Sequence, residues 1–264
     1  MAQAEDPVCV PDTSFLDPRE NLQMPLLRIP IALLLLVIAS PIWCEDSLPD
    51  PRREDQSPSE KLTALVERVR LEQSRIDTLE ADFRQLKESS MLVDVVEAVG
   101  TFAYSAPDHV RWDYSTPNPI SMLIDGDEMT TWFRDLGQAE KVKVGRRSQR
   151  VLEYLGATSP LDDMLQYFSV SLTLPEDRTQ PYLLELSPLF DKVAKRLQGV
   201  TIWIAADHYL PIRLRYVDAD GDVTDLKFEN LRINGSLPVE RFDLRLPESV
   251  DVRIVELDQR TRLQ

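Results

Sequence analysis

The sequence predicts an α+β domain: a curved antiparallel sheet forming an incomplete β-barrel, with helices covering a hydrophobic cavity. Three observations lead there. Residues 100–133 hold three short apolar or aromatic runs, Thr101–Tyr104, Val110–Tyr114 and Ser121–Ile124, and a fourth begins at Met129. Ala-Pro-Asp, Thr-Pro-Asn-Pro and Asp125-Gly126 separate them, which is the turn chemistry of an antiparallel meander. Strand-like runs then continue to about residue 255, more than a flat open sheet holds, so the sheet must curl. Two segments with apolar residues at helical spacing each begin with a capping residue and a proline, and supply the covering helices.

Composition narrows the partners before any motif does. With 264 residues the chain can bury a sizeable core. Its formal charge of −15 and pI near 4.6 argue against nucleic acid and against plain electrostatic docking to an anionic membrane, because both need basic surfaces. The same acidity suits an ordinary soluble protein.

Ile31 to Ala39 (IALLLLVIA) is an unbroken apolar run. It is too short for the ~20 residues that span a bilayer and has the length of a secretory signal's apolar region, with Arg28 as its positive flank. Upstream, Glu5, Asp6, Asp12, Asp17 and Glu20 face only Arg19, the wrong sign for a signal's leading region. Residues 1–23 are therefore read as a non-native extension, and 24–44 as the signal peptide starting at Met24. Trp43 stands where lipidation of Cys44 needs a small residue, so the exported protein is expected to be unlipidated. Cys9 and Cys44 are the only cysteines, which leaves the mature chain without a disulfide and dependent on its core.

Residues 45–57 are polar and read as a disordered leader. Ser57, Pro58 and Glu60 then form a capping box, and Leu62, Leu65, Val66 and Val69 follow as one apolar stripe, for core packing or for ligand contact in an open cavity. From Leu79 the period becomes two: Leu79, Ala81 and Phe83 alternate with Glu80, Asp82 and Arg84, a half-buried strand. Lys87–Ser90 turns the chain and Val93–Tyr104 returns it. Lys141–Val144 is a short strand before Gly145-Arg146-Arg147-Ser148-Gln149-Arg150, a cationic cluster that serves as a solvated loop or a partner surface. Ser159-Pro160 opens the second helix, with Leu161, Met164, Leu165 and Phe168 on one face; methionine there suits gap-filling core and an adaptable lid alike. Strands over Tyr182–Ser187, Val200–Ala205, Pro211–Val217, Val223–Leu231 and Phe242–Leu246 complete the sheet, with turns at Ala206-Asp207, Asp220-Gly221 and Asn234-Gly235.

No catalytic constellation emerges. His109 and His208 lack metal-ligand spacing and sit beside turns. There is no G-x-S-x-G, phosphate loop or C-x-x-C, and no cysteine nucleophile beyond the signal. Asp218-Ala-Asp220-Gly221-Asp222 weakly resembles a calcium loop, but Val223 stands where such a loop needs glycine, and a hairpin turn is expected instead.

The ordered set L-E-A-D-F-R-Q (79–85), G-T-F-A-Y-S-A-P (100–107), V-R-W-D-Y (110–114), the turn Asp125-Gly126 followed by Trp132, Ser159-Pro160 before a helix, K-F-E-N-L-R-I-N (227–234) and F-D-L-R-L-P (242–247) resembles the periplasmic outer-membrane lipoprotein carrier family, LolA. The resemblance spans about residues 58–256 and leaves 257–264 as a tail. It implies an incomplete barrel whose cavity holds lipoprotein acyl chains in transit from inner to outer membrane, with no cofactor, no metal and no reaction. It also implies a periplasmic monomer whose partners are an inner-membrane release complex and an outer-membrane acceptor. In the best-known carriers an arginine before the proline after the third apolar run ties the lid shut. Here Ala106 precedes Pro107, so the lid is held otherwise or the cargo differs. Arg111 comes from a different position.

The expected cavity lining is Leu62, Leu65, Val66, Val69, Phe83, Phe102, Trp112, Tyr114, Trp132, Leu161, Met164 and Leu165. Strand alternation puts Trp112 and Tyr114 on one face, with Trp132 as their neighbour on an adjacent strand; these rings either line a cavity or fill a closed core. A lipid chain gains about 0.8 kcal/mol per buried methylene in such surroundings without a specific polar contact. Two other classes remain. One is a lipoprotein-sensing regulator of the RseB type, which usually adds a C-terminal domain for which the chain after 256 leaves no room. The other is a lipid or glycan hydrolase, opposed by the lack of a nucleophile and base.

Overall fold

The computed structural model describes residues 48–89, 91, 94–144, 166–177 and 179–255. α1 (Pro58–Gln73) begins at the capping box. The Ser57 N–H donates to Glu60 Oε2 at 2.7 Å, and the Glu60 N–H donates to Ser57 Oγ at 3.4 Å, which occupies donors that a helix's first turn leaves free.

Twelve strands follow: β1 (Thr78–Glu88), β2 (Val96–Ser105), β3 (His109–Thr116), β4 (Ile120–Asp125), β5 (Glu128–Phe133), β6 (Gln138–Lys143), β7 (Phe168–Thr173), β8 (Tyr182–Pro188), β9 (Leu197–Ile204), β10 (Pro211–Asp218), β11 (Val223–Ile233) and β12 (Asp251–Val255), with the one-turn α2 (Asp191–Ala194) between β8 and β9. They form one sheet in the order β12-β6-β5-β4-β3-β2-β1-β11-β10-β9-β8-β7. The first six strands pair in sequence order, as do β7 to β11, and the two runs meet where β1 pairs with β11. Asn234, at φ 54°, fixes that junction: its Oδ1 accepts from the Asp77 N–H at 2.7 Å, and its Nδ2 donates to the Arg75 carbonyl at 2.8 Å.

The registers put one apolar face along nearly the whole sheet. Leu172, Leu184, Ile202, Leu214 and Leu226 lie in one cross-strand row. Phe83 pairs with Phe228, and Ala81, Phe102, Trp112 and Met122 form a second row. Directly paired residues share a face, and residues two apart on a strand return to it. Both core clusters therefore occupy the same side of the sheet.

Three expectations need correction. Phe168 is not on a helix: it opens β7, where Phe168, Val170 and Leu172 alternate with Ser169, Ser171 and Thr173, a period of two that the four-residue step from Met164 masked. Residues 242–246 are not a strand; Phe242 closes a 3-10 turn (Val239–Phe242). Phe242, Leu244 and Leu246 do alternate half-buried with exposed Asp243 and Arg245, because the segment packs against a sheet face instead of pairing at an edge. The sheet is antiparallel as expected except at its edge, where β12 pairs with β6 in parallel. Finally, residues 48–57 are not a disordered leader: Pro51 is fully buried, and the Arg52 guanidinium lies 5.3 Å from the centre of the Tyr182 ring. The Asp218–Asp222 segment is a hairpin turn as expected, with Asp218 Oδ1 accepting from the N–H groups of Asp220 and Asp222 at 3.0 Å. Among the described residues, no group of three or more His, Cys, Asp or Glu could hold a metal ion.

Candidate functional site

The apolar face carries two adjoining clusters. In the first, α1 lays Leu65, Val66 and Val69 onto Tyr182, Leu184 and Leu186 of β8 and Val200, Ile202 and Ile204 of β9, with Leu62 packed at its margin. The helix stripe and the strand alternation match each other, so burial is mutual. In the second, Phe83, Phe102, Val110, Trp112, Ile124 and Leu226 are buried, and Leu79, Tyr104, Tyr114, Met122, Met129 and Phe228 pack around them.

The second cluster is an aromatic array. Phe83 meets Trp112 edge to face at 4.9 Å and Tyr114 at 4.8 Å. Phe102 lies 4.8 Å from Trp112, and Phe228 closes the group at 5.7 Å from Trp112. Such contacts favour tilted and edge-on rings. Gly100 makes this possible: a Cβ there would stand 2.6 Å from Phe83 Cζ and 2.0 Å from the Asp113 carbonyl oxygen. The Tyr114 hydroxyl reaches Gln85 Oε1 at 3.1 Å, and burial pushes its phenol pKa up, with Tyr216 adding to the rise. The indole N–H of Trp112 is buried without a hydrogen-bond partner.

Eight of the expected lining residues are thus brought together on one face: Leu62, Leu65, Val66, Val69, Phe83, Phe102, Trp112 and Tyr114. Trp132 is not among them. It pairs with Ser121, which pairs with Asp113, whereas Trp112 pairs with Met122; a one-residue offset puts a side chain on the opposite face. There Trp132 lines an open groove of about 360 Å³ with Arg111, Glu240, Asp243, Leu244 and Arg245. Leu161, Met164 and Leu165, with the helix from Ser159-Pro160, lie outside the described residues, as do the cationic 145–150 cluster and the signal segment. Sequence reading missed Tyr182, Leu184, Leu186, Ile202 and Phe228 as members of the face, although their period-two spacing on β8, β9 and β11 was visible.

The opposite face is polar, and its centre is Asp113. Its carboxylate accepts from Arg111 Nε at 2.8 Å, from Ser121 Oγ, and from Arg241 Nη1 at 3.1 Å. Arg241 Nη2 also donates to Thr101 Oγ1 at 2.7 Å, and Arg111 Nη1 donates to the Arg241 carbonyl at 2.9 Å. Burial pushes the Asp113 pKa up, but the hydrogen bonds from Ser121 and Arg111 and the charges of Arg111 and Arg241 outweigh it and hold the group below the usual carboxylate range. Arg111 therefore belongs to this network on the polar face. Ala106 donates its N–H to the Asp77 carbonyl at 2.8 Å, a backbone contact that needs no particular side chain.

The family model described as "Outer membrane lipoprotein carrier protein LolA" matches residues 74–245, well over half of the chain. The chain belongs to the LolA family. Among curated relatives, the outer-membrane lipoprotein carrier protein of Halorhodospira halophila is 26% identical over 193 residues, covering 71% of this chain and 84% of the relative. That of Legionella pneumophila is 28% identical over 180 residues, covering 67% and 83%. Among solved structures, an uncharacterized conserved protein from Thermus thermophilus aligns with a TM-score of 0.49 at 13% identity, covering 74% of this chain and 99% of that one; at that level the likeness carries no functional weight. The LolA match takes in β1 to β11, both clusters of the apolar face except α1, and the segment that Arg241 ties down.

Proposed function

We propose that this LolA-family protein is a periplasmic carrier that takes up acyl chains of lipoproteins, or another lipid, against its apolar sheet face and moves them toward the outer membrane. One observation carries the reading: a continuous apolar face that runs in sheet order from β4 through β1 and β11 to β8, with α1 laid over one part of it, in a chain whose named relatives are lipoprotein carriers. An acyl chain needs aliphatic and aromatic surface and little else. The unpartnered Trp112 indole N–H is the group that a carbonyl at the head of an acyl chain would satisfy. Loading requires the rings of Phe83, Trp112 and Phe228, which pack against one another, to part. No reaction is involved, and the partners are a releasing complex at the inner membrane and an acceptor at the outer one. Export uses residues 24–44 as a signal, and among the described residues no helix is long and apolar enough to cross a membrane.

Native mass spectrometry of protein purified from the periplasm tests the reading. Co-purifying acylated species are expected; protein that is always empty, and that turns over a lipid or glycan substrate, would sink it.

A further inference from the structure

We propose that one end of the half-barrel is a membrane-contacting rim, whose apolar turns enter the interfacial layer of a phospholipid bilayer with balanced headgroup charge. The registers define the two ends. The ends of β1, β3, β5, β8 and β10 meet the starts of β2, β4, β6, β7, β9 and β11 on one side: Lys87 pairs with Val96, Phe133 with Gln138, Phe168 with Pro188, and Asp218 with Leu197. The turns on that side expose Met91 at 89%, Val95 at 52%, Leu136 at 68%, Tyr167 at 52%, Leu189 at 56% and Phe190 at 53%. The turns at the other end, 106–108, 126–127 and 205–210, expose no large apolar side chain. Ile233, Ile254 and Val255, in strands toward the other end, and Val239 are exposed as well; scattered apolar residues of that kind mean little, but six large apolar side chains on the turns of one end mark a contact surface.

Tyr167, Leu189 and Phe190 form its best-defined part. The Leu189 N–H donates to the Tyr167 carbonyl at 2.9 Å, and the Tyr167 and Phe190 rings meet edge-on at 6.3 Å. Aromatic rings with one polar edge suit the headgroup layer. Behind them, Val193 of α2 and Leu197 pack on the first apolar cluster, so the rim runs into the face assigned to lipid.

Charge selects the kind of bilayer. Lys192, Lys195 and Arg196 are exposed beside this patch. The Ala219 N–H donates to the Arg196 carbonyl at 3.2 Å and Gln198 Nε2 to the Ala219 carbonyl at 3.2 Å, which sets Asp218, Asp220 and Asp222 alongside the three cations. Asp191 is exposed in the patch as well, so four carboxylates more than offset the three cations here, as they do in the chain as a whole, which carries −15. Acidic groups farther away than about 8 Å are screened at physiological salt. Contact is therefore driven by apolar insertion and needs no anionic lipid.

This inference deepens the carrier reading, but the two fail separately. The probe is flotation of the exported chain with phosphatidylcholine vesicles, alongside binding of a fluorescent fatty acid in solution. The chain is expected to float at physiological and at high salt alike. The double variant Leu189→Ser/Phe190→Ser is expected to lower the floated fraction about fivefold or more while fatty-acid binding is retained, and Met91→Ser/Val95→Ser, from a separate turn, is expected to lower it too. Val239→Ser, exposed but away from the rim, leaves flotation unchanged. The proposal is overturned if the wild type does not float, if it floats only with anionic vesicles and is released by salt, if both double variants float like the wild type, or if they convert a dimer to a monomer, which would make the patch an interface between copies. Flotation without fatty-acid binding would remove the carrier reading and leave the rim.

Discussion

Arg241 donates through Nη1 to Oδ2 of Asp113 at 3.1 Å, joining residues 128 positions apart. The same guanidinium holds Thr101 Oγ1, and its backbone carbonyl accepts from Arg111. The segment after β11 is thereby fastened across the polar face of β2 and β3, and the apolar face stays clear of it.

Replacing that side chain should release the segment without unfolding the sheet. Arg241→Ala leaves Asp113 with Arg111, Ser121 and Arg134 as partners, so the cost falls short of stranding a buried charge and should be about 1–3 kcal/mol. Faster amide exchange over residues 239–250, with exchange in β7 to β10 unchanged, is the expected signature. Unchanged protection of 239–250 would show that Phe242 and Leu244 hold the segment by packing.

Acid should have a similar effect. The Asp113 carboxylate is held below its ordinary range in the folded protein. A depressed folded pKa contributes stability above the unfolded value of about 3.9 and loses it as pH falls through the folded value. The melting temperature should therefore fall on going from neutral pH to about pH 3, and more steeply for the wild type than for Asp113→Asn. Equal slopes would remove Asp113 from the account.

Gly100→Ala tests the aromatic array. The added methyl meets the Asp113 carbonyl oxygen and the edge of Phe83, so β2 must shift away from its neighbours. Denaturant unfolding should show a loss of about 1–3 kcal/mol, together with a changed near-ultraviolet aromatic signal. Full stability would mean that both the Asp113 carbonyl of β3 and the Phe83 ring yield freely.

The cap of α1 gives a milder prediction. Ser57→Ala removes the Oγ acceptor of the Glu60 N–H and should cost about 1 kcal/mol, while Ser57→Asp should restore most of it. Equal stability of all three proteins would show that packing of Leu65 and Val69 alone fixes the helix start.

Short-range signals in the sequence were dependable. The Ser57-Pro58-Glu60 cap, the alternation in β1 and the meander of β2 to β5 are local consequences of spacing and turn residues, and each appears where expected. What failed depended on position in space. Strand alternation alone sets Trp132 beside Trp112, but β4 separates their strands, and the face of a side chain turns on register, which a single residue reverses. Phe242, Leu244 and Leu246 alternate like a strand, yet alternation says only that one side is buried, not that an edge is free to pair with. Arg241 and Asp113 gave no local sign at all, since neither residue type nor spacing links positions so far apart. For the apolar face the membership of Phe83, Phe102, Trp112 and Tyr114 was legible, while that of Tyr182, Ile202 and Phe228 required the pairing of β8, β9 and β11.

α1 precedes β1 in the chain but buries its stripe against β8 and β9. A ribosome makes the chain from the N-terminus, so Leu65, Val66 and Val69 have no partner until Tyr182, Val200 and Ile202 have been added. The strands of the first half need only local turns to pair, whereas the helix must wait for the second half. Loop-closure entropy makes such a distant contact slow to form, so docking of α1 completes the fold late, and until then its apolar stripe needs protection from other proteins.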